Sequence, residues 1–256
     1  MLFLVGLGLE VGDISTRALQ RLKAVDIIKI DVHTNKVPSE QLSFLEKELG
    51  KKFVVMERSD LEEKVKDTIK EAKEKDIAIV TMGDPMIATT HHIILDEASR
   101  LCIKVEIFHA PSIFSAAIGA SGLDIYRFGP TTTIPFWTEL YKPTSFLEVV
   151  AKNQKNGEHT LILLDYNYKE GKAMDLSTAL SIIGEAEKSR QVLGKSQKIM
   201  ILGGIGTNSE AISYVEIAKA KGLSARFEGK LLSIIVPAEP NFAEEEALRR
   251  FTASST

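Results

Sequence analysis

The chain has 256 residues, 44% hydrophobic and 26% charged, with a formal net charge of −3. That apolar share supports a packed core, and the length lies near the limit for a single one, so two domains are expected. The slight negative balance argues against a protein that grips nucleic acid through an overall positive field, and the lone Cys102 rules out an internal disulfide framework or a Cys-rich metal site. Cys102 lies within the apolar run 101–105 and reads as a small buried side chain, not a nucleophile. No apolar run reaches the roughly 18–20 residues that span a membrane. The apolar N-terminus, 1–9, lacks a basic lead and a small-residue cleavage pattern, so it reads as a first strand and not as a signal peptide. The expectation is a soluble cytoplasmic protein with no membrane or nucleic-acid partner.

In chain order, residues 2–5 read as a strand that runs into a glycine-rich turn with Gly6, Gly8 and Gly12. Asp13 is placed to cap a helix over 15–24, where Ala18, Leu19 and Leu22 share a face. A strand over 26–32 follows, then a loop to Pro38 and a helix with Leu42, Leu45 and Leu49 at helical spacing. Residues 52–56 form a short strand, and Leu61, Val65, Ile69 and Ala72 mark the apolar stripe of a charged helix. A strand over 77–80 ends in Gly83, Asp84 and Pro85, ahead of a helix over 89–101. In an α/β sheet the carboxyl ends of strands are where ligands bind. Gly83 permits close backbone approach, Asp84 supplies a fixed charge or cap, and Pro85 stiffens the turn. A strand over 104–109 leads to Ala110, Pro111 and Ser112, then a helix over 113–120. Strands alternating with helices through short loops signal a mostly parallel sheet covered on both faces.

The rhythm changes between about residues 110 and 125, which sets domains at 1–113 and 114–256. Residues 127–136 read as an extended segment at a sheet edge. Ser145 and Glu148 form a capping-box pattern for a helix ending at Gly157, followed by a strand over 159–165 and a helix over 176–188. A strand over 198–202 enters a third glycine turn at 203–207, with Asn208 or Ser209 capping a helix that ends near Gly222. A strand over 231–236, a helix over 242–251 and a frayed polar tail over 252–256 complete the chain.

The motifs carry unequal weight. A dinucleotide fingerprint starting at Gly6 and Gly8, with Asp31 ending the next strand, would place its third glycine where Val11 stands. A phosphate-binding loop fails because no Gly-Lys-Ser/Thr follows. His91 and His92 are neighbours on an expected helix, so their side chains diverge by about 100° and share no metal ion. For His33, His91, His92, His109 and His159 a capping or hydrogen-bonding role is the expectation. Phe128 and Phe136 read as core. Trp137 and Tyr141 flank Glu139, where core packing and a cleft lining for a cationic group both stay open.

Taken together, these segments resemble the diphthine synthase family, a branch of the tetrapyrrole-methylase-like S-adenosylmethionine-dependent methyltransferases. The resemblance spans nearly the whole chain and rests on the segments 6–15, 83–91, 109–113, 122–129, 134–139 and 159–165. It implies two α/β domains with the cofactor in the cleft between them, usually in a homodimer. It also implies a substrate, translation elongation factor 2 carrying a 3-amino-3-carboxypropyl-histidine, whose amino group is methylated repeatedly. By motif position it assigns contacts with S-adenosylmethionine to Leu9, Asp84, Ile87, Ser112, Ile113, Leu164, Gly203 and Leu232. Leu232 stands where the family often has a histidine, and the segment 31–34 differs from the acidic-aromatic sequence usual there. The substrate's cationic head group is expected at Trp137 and Glu139. No metal is implied, and no catalytic base is assigned. The alternatives are a related tetrapyrrole or ribosomal RNA methyltransferase and a dinucleotide-dependent oxidoreductase.

Overall fold

The computed structural model describes residues 1–10, 12–32, 37, 39–62, 64–167, 170–194 and 196–252. Val11, His33, Thr34, Pro38 and the tail over 253–256, on which readings of the sequence bear, lie outside the described residues. The chain divides into two compact units, Met1–Ile113 and Phe114–Thr256.

The first unit contains β1 (Leu2–Gly6), α1 (Thr16–Ala24), β2 (Ile27–Asp31), α2 (Ser39–Leu49), β3 (Phe53–Met56), α3 (Arg58–Glu62), α4 (Val65–Glu71), β4 (Ile77–Thr81), α5 (His92–Arg100) and β5 (Val105–Phe108). Its strands form one sheet in the order β3-β2-β4-β1-β5, and every pairing is parallel. Side chains alternate across a strand, so each strand feeds two cores. Phe3, Val5, Ile28, Ile30, Ala78 and Val80 pack with Ala18, Leu22, Leu45 and Leu49 of α1 and α2. Leu2, Leu4, Ile77 and Ile79 pack on the other face with Leu61, Val65, Ile69, Ile94 and Ala98 of α3, α4 and α5. Burial on both faces is why the inner strands β1 and β4 are apolar along nearly their whole length.

The strand order creates a switch point. The chain leaves β1 toward β2 on one side and leaves the adjacent β4 toward β5 on the other. The connecting helices α1 and α5 therefore cover opposite faces, and the turns after β1 and β4 are left side by side at the carboxyl rim.

The second unit contains α6 (Ile113–Ser121, its first residue closing the first unit), β6 (Thr132–Ile134), α7 (Ser145–Lys155), β7 (Thr160–Leu164), β8 (Tyr166–Asn167), β9 (Lys172–Ala173), α8 (Leu176–Arg190), β10 (Lys198–Gly203), β11 (Ala211–Glu216), α9 (Ile217–Ala220), β12 (Leu232–Val236) and α10 (Phe242–Arg249), with 3-10 turns at Ile125–Arg127 and Lys221–Phe227. Its main sheet runs β11-β10-β12-β7-β6; only β6 with β7 is parallel, and the other pairings are antiparallel. Phe146, Leu147 and Val150 of α7 and Ala179, Ile182 and Ile183 of α8 bury against Ile134, Ile162, Ile199, Ile201 and Ile234. The extended segment before Phe136 does supply an edge strand, β6, but only over three residues.

Several local expectations change. The cap of α1 is Ser15, whose hydroxyl accepts from Ala18 N at 3.1 Å; Asp13 instead closes the preceding turn. The segment over 208–222 opens as strand β11 and not as a helix, because Ala211–Glu216 alternates small, β-branched and aromatic side chains at period two and pairs with β10. The third glycine turn is therefore a hairpin connection, not a strand-to-helix turn. Helix α7 has Thr144 as its N-cap with no side-chain cap bond, and Glu148 pairs with Arg190 at 2.7 Å. The capping box occurs at Asn241 and Glu244 of α10. The stripe from Leu61 to Ala72 divides between α3 and α4, and α5 begins at His92, with His91 as its N-cap.

Cys102 is exposed, contrary to its apolar neighbourhood in sequence. It ends α5 with φ 54, and Ile103 N donates to Ala98 O at 2.9 Å. This left-handed reversal turns Ile103 inward against the core and leaves Cys102 outside.

Candidate cofactor and substrate site

The turns after β1 and β4 are joined by backbone. Gly83 N donates to Gly8 O at 2.7 Å, and Gly8 N to Gly83 O at 3.3 Å, an antiparallel bridge beyond the parallel strands. Asp13 Oδ2 accepts from Leu9 N at 2.8 Å and Glu10 N at 3.0 Å, which folds the first turn on itself. The close approach depends on Gly6. A Cβ there would meet Gly83 O at 2.5 Å and Ala110 Cβ at 2.7 Å. Gly83 differs: it takes φ +72, and a Cβ would find nothing nearer than Ser112 Cα and Cβ at 4.0 Å. That is ordinary van der Waals contact with the buried Ser112, so Gly83 is required by its positive φ and not by crowding, and the rim here consists of backbone and small side chains.

Asp84 ties this rim together. Its Oδ1 accepts from Met86 N at 2.8 Å, while Oδ2 accepts from Ala110 N at 3.1 Å and from His109 Nδ1 at 2.8 Å. The carboxylate thus links the end of β4 to the end of β5 and is almost wholly buried. Beyond it, Ala88 holds φ 55 without being glycine, a strained conformation of the kind that clusters at binding sites. Ile87 is 41% exposed. His91 is buried, with Nδ1 2.8 Å from Pro85 O and Nε2 3.1 Å from Asp31 Oδ2. Both ring nitrogens therefore face acceptors, the Pro85 carbonyl and the Asp31 carboxylate. Asp31 is consumed by this pair, which removes the acidic residue that a dinucleotide ribose would need. Neither histidine pairing was legible in sequence, because Asp31 and His91 are separated by 60 positions and Asp84 and His109 by 25.

Of the residues assigned by resemblance, Leu9, Asp84, Ile87, Ser112 and Ile113 all follow strands of the first sheet. In the second unit, Leu164 ends β7, Leu232 begins β12 and Gly203 ends β10. Antiparallel pairing sets Gly203 opposite Leu232 and Leu163 opposite Ser233, so these three residues share one end of that sheet. Packing accounts for two of them. A Cβ on Gly203 would stand 2.7 Å from Phe227 Cδ1, and Leu232 is buried in the core.

Trp137 rests against the same core, and its Nε1 donates to Pro143 O at 3.2 Å. Asp165 holds the segment before it by accepting from Phe136 N at 2.9 Å. Glu139 is exposed, as are Leu140 and Tyr141.

A polar knot fixes the segment over 124–129. Glu244 of α10 accepts from Asp124 N at 3.0 Å and Asn241 N at 2.9 Å, and it pairs with Arg127. His159, fully buried, donates from Nε2 to Glu244 at 2.9 Å and accepts from Ala238 N at Nδ1, 3.0 Å. Burial pushes the His159 imidazole below its usual range, outweighing the support of Glu244. Burial alone would raise the Glu244 carboxyl, but the Asn241 backbone, His159 and the Asp124 backbone bring it below the usual value. Arg127 also donates to Glu239 O at 2.8 Å. His159 thus has the hydrogen-bonding role expected of it.

Among the described residues no helix is long and apolar enough to cross a membrane, and no cluster of three or more His, Cys, Asp or Glu is placed to hold a metal ion. A parallel sheet with joined glycine turns at its switch point defines an α/β domain of the class that binds ligands at the carboxyl ends of its strands. Residues 1–218 match the family of tetrapyrrole (corrin/porphyrin) methylases. A diphthine synthase of Methanosphaera stadtmanae is 37% identical over 251 residues, covering 97% of this chain and 94% of its own. An Arabidopsis thaliana protein named "Probable diphthine methyl ester synthase" is 32% identical over 278 residues, covering 100% and 99%. A crystal structure of a diphthine synthase superposes with a TM-score of 0.88 at 31% identity, covering 98% of this chain and 95% of that one. The chain belongs to the tetrapyrrole methylase family, in its diphthine synthase branch, and is a methyltransferase.

Proposed function

We propose that the chain transfers methyl groups from S-adenosylmethionine to the amino group of 3-amino-3-carboxypropyl-histidine on translation elongation factor 2, repeatedly, as a step toward diphthamide. The observation that carries this reading is the near full-length match to diphthine synthases, supported by the glycine turns joined at the carboxyl rim of the parallel sheet. Leu9, Asp84, Ile87, Ser112 and Ile113 are assigned to the cofactor from the first unit, with Leu164, Gly203 and Leu232 as further contacts. A homodimer is part of the same proposal.

S-adenosylmethionine supplies an already activated methyl group on a sulfonium. What remains for the protein is to align the amine nitrogen with that methyl carbon and present it without its extra proton. Asp84, spent on three hydrogen bonds, contributes by fixing the turn. Backbone groups beside Gly83, Ile87 and Ser112 then offer a surface that does not have to reorganise on binding. The product is a permanent cation, for which Trp137 and Glu139 provide an aromatic face and a negative charge.

The test is intact-mass analysis of elongation factor 2 carrying the precursor side chain, incubated with this protein and S-adenosylmethionine. A ladder of methyl additions that survives mild alkali is expected. A single addition lost in alkali would replace N-methylation by ester formation, and no addition with intact cofactor binding would require another substrate. Binding of NAD in place of S-adenosylmethionine would restore the oxidoreductase alternative, which the engagement of Asp31 by His91 disfavours.

A further inference from the structure

We propose that His109 accepts the proton that each N-methylation releases, with Asp84 as its positioning residue; the inference rests on the N-methylation reading above. His109 follows directly on β5, and its Nδ1 is 2.8 Å from Asp84 Oδ2. A carboxylate only accepts, so Nδ1 carries the hydrogen, and in the neutral ring the lone pair is then on Nε2. The Asp84 side chain is 7% exposed and pinned by the backbone of Met86 and Ala110, whereas the His109 side chain is 69% exposed. A fixed, buried carboxylate thus orients an imidazole whose second nitrogen is presented outward, the arrangement by which histidines serve as bases.

The other histidine beside the same turn supplies the contrast. His91 spends both ring nitrogens, on Pro85 O and Asp31, and is buried. It holds the turn; His109 has a nitrogen to spare. Among the described residues, Asp84 is the charged group that pairs with His109. Glu106 lies on the opposite face of β5 by strand alternation, bonded there to Arg17 at 2.5 Å, with Arg17 also over the Phe108 ring. The site adjoins Ala110 and Ser112, on the rim assigned to the cofactor.

The step balances without a further reactant. The amine arrives as an ammonium, and Nε2 takes one of its N–H protons. The freed nitrogen lone pair forms the N–C bond to the sulfonium methyl while the C–S bond breaks and its electron pair goes to sulfur. Nε2–H then returns its proton to water, which the exposure of the ring allows. One proton leaves for every methyl added to nitrogen. A carboxylate being esterified has no proton to give up, so His109 serves the nitrogen steps and is dispensable for an ester step.

The deciding variant is His109→Asn, whose amide nitrogen takes the place of Nδ1 against Asp84 but carries no base. Its N-methylation rate at pH 7 is expected to fall about 100-fold. The gap should close as pH rises through roughly 8–10, the range over which amines lose their proton in water. Affinity for S-adenosylhomocysteine should be unchanged. A readout without turnover accompanies it: long-range 1H–15N spectra of the wild-type protein should show the Nδ1–H tautomer at His109, with ring signals that move when S-adenosylhomocysteine is added. An Nε2–H tautomer, unmoved signals, an undiminished variant, or a loss equal at every pH would each overturn the proposal. A wild-type protein that adds no methyl group overturns the functional reading itself, whereas an active wild type beside an undiminished variant overturns only the role of His109.

Discussion

The two units solve the same problem, gathering residues from distant parts of the chain at one end of a sheet, in different ways. In the first, every strand is parallel, so every carboxyl end reaches the same rim, and the turns after β1, β4 and β5 meet there. In the second, neighbouring strands are mostly antiparallel, and one end collects the finish of β7, the start of β12 and the finish of β10. A rule that looks for glycine and acid just after an apolar run finds the first set and misses part of the second. The units also differ in what fixes their loops. Backbone bridges and Asp84 hold the first rim, while a buried charge network of His159, Glu244 and Arg127 holds residues 124–129.

The sharpest way to break this contrast is to fill the backbone contact. Gly6→Ala forces a Cβ onto Gly83 O and Ala110 Cβ, neither of which is a flexible chain end. A cost of about 3 kcal/mol, with loss of S-adenosylhomocysteine binding, is expected by denaturant titration and calorimetry. Gly83→Ala meets no such obstacle and should cost only about 1–2 kcal/mol for its positive φ. Equal losses at the two positions would dissolve the distinction between a glycine required by crowding and one required by its backbone angle.

In the second unit, Glu244→Gln leaves Arg127 without its charge partner and weakens the bond from His159. A loss of about 2–3 kcal/mol is expected in urea unfolding. The same network sets the acid response. The pKa of His159 is lowered in the folded protein, so folding favours the neutral ring. That contribution is present above about pH 6.5, the unfolded value, and is lost as pH falls through the lower folded value. Glu244, also lowered, adds a second loss below its usual value of 4.5. Unfolding followed at the two pH steps should show both, and Glu244→Gln should remove the lower one. A stability that rises on acidification would contradict the assignment.

The smallest effects separate local caps from exposed positions. Ser15→Ala should cost about 1 kcal/mol through the lost bond to Ala18 N, whereas Asp13→Ala should act through the first turn and weaken cofactor affinity more than the helix. Cys102→Ser should change stability by less than about 0.5 kcal/mol, since the side chain is outside the core.

The sequence by itself determined the parallel half of the fold, because fully buried strands must be continuously apolar and their turns must carry glycine or a short polar residue. It also marked Asp84 and Ser112, whose motifs are local. Strand β11 was hidden behind a glycine turn that resembles the other two; a turn's composition records its backbone angles, not which element follows. The exposure of Cys102 depended on a single left-handed residue at the end of α5. Tertiary structure alone decided the pairings of Asp31 with His91, Asp84 with His109, and Glu244 with His159 and Arg127. Hydrophobic periodicity is written into neighbours along the chain, but a hydrogen bond between distant residues leaves no periodic trace. It forms only when the sheet order has brought the strand ends together.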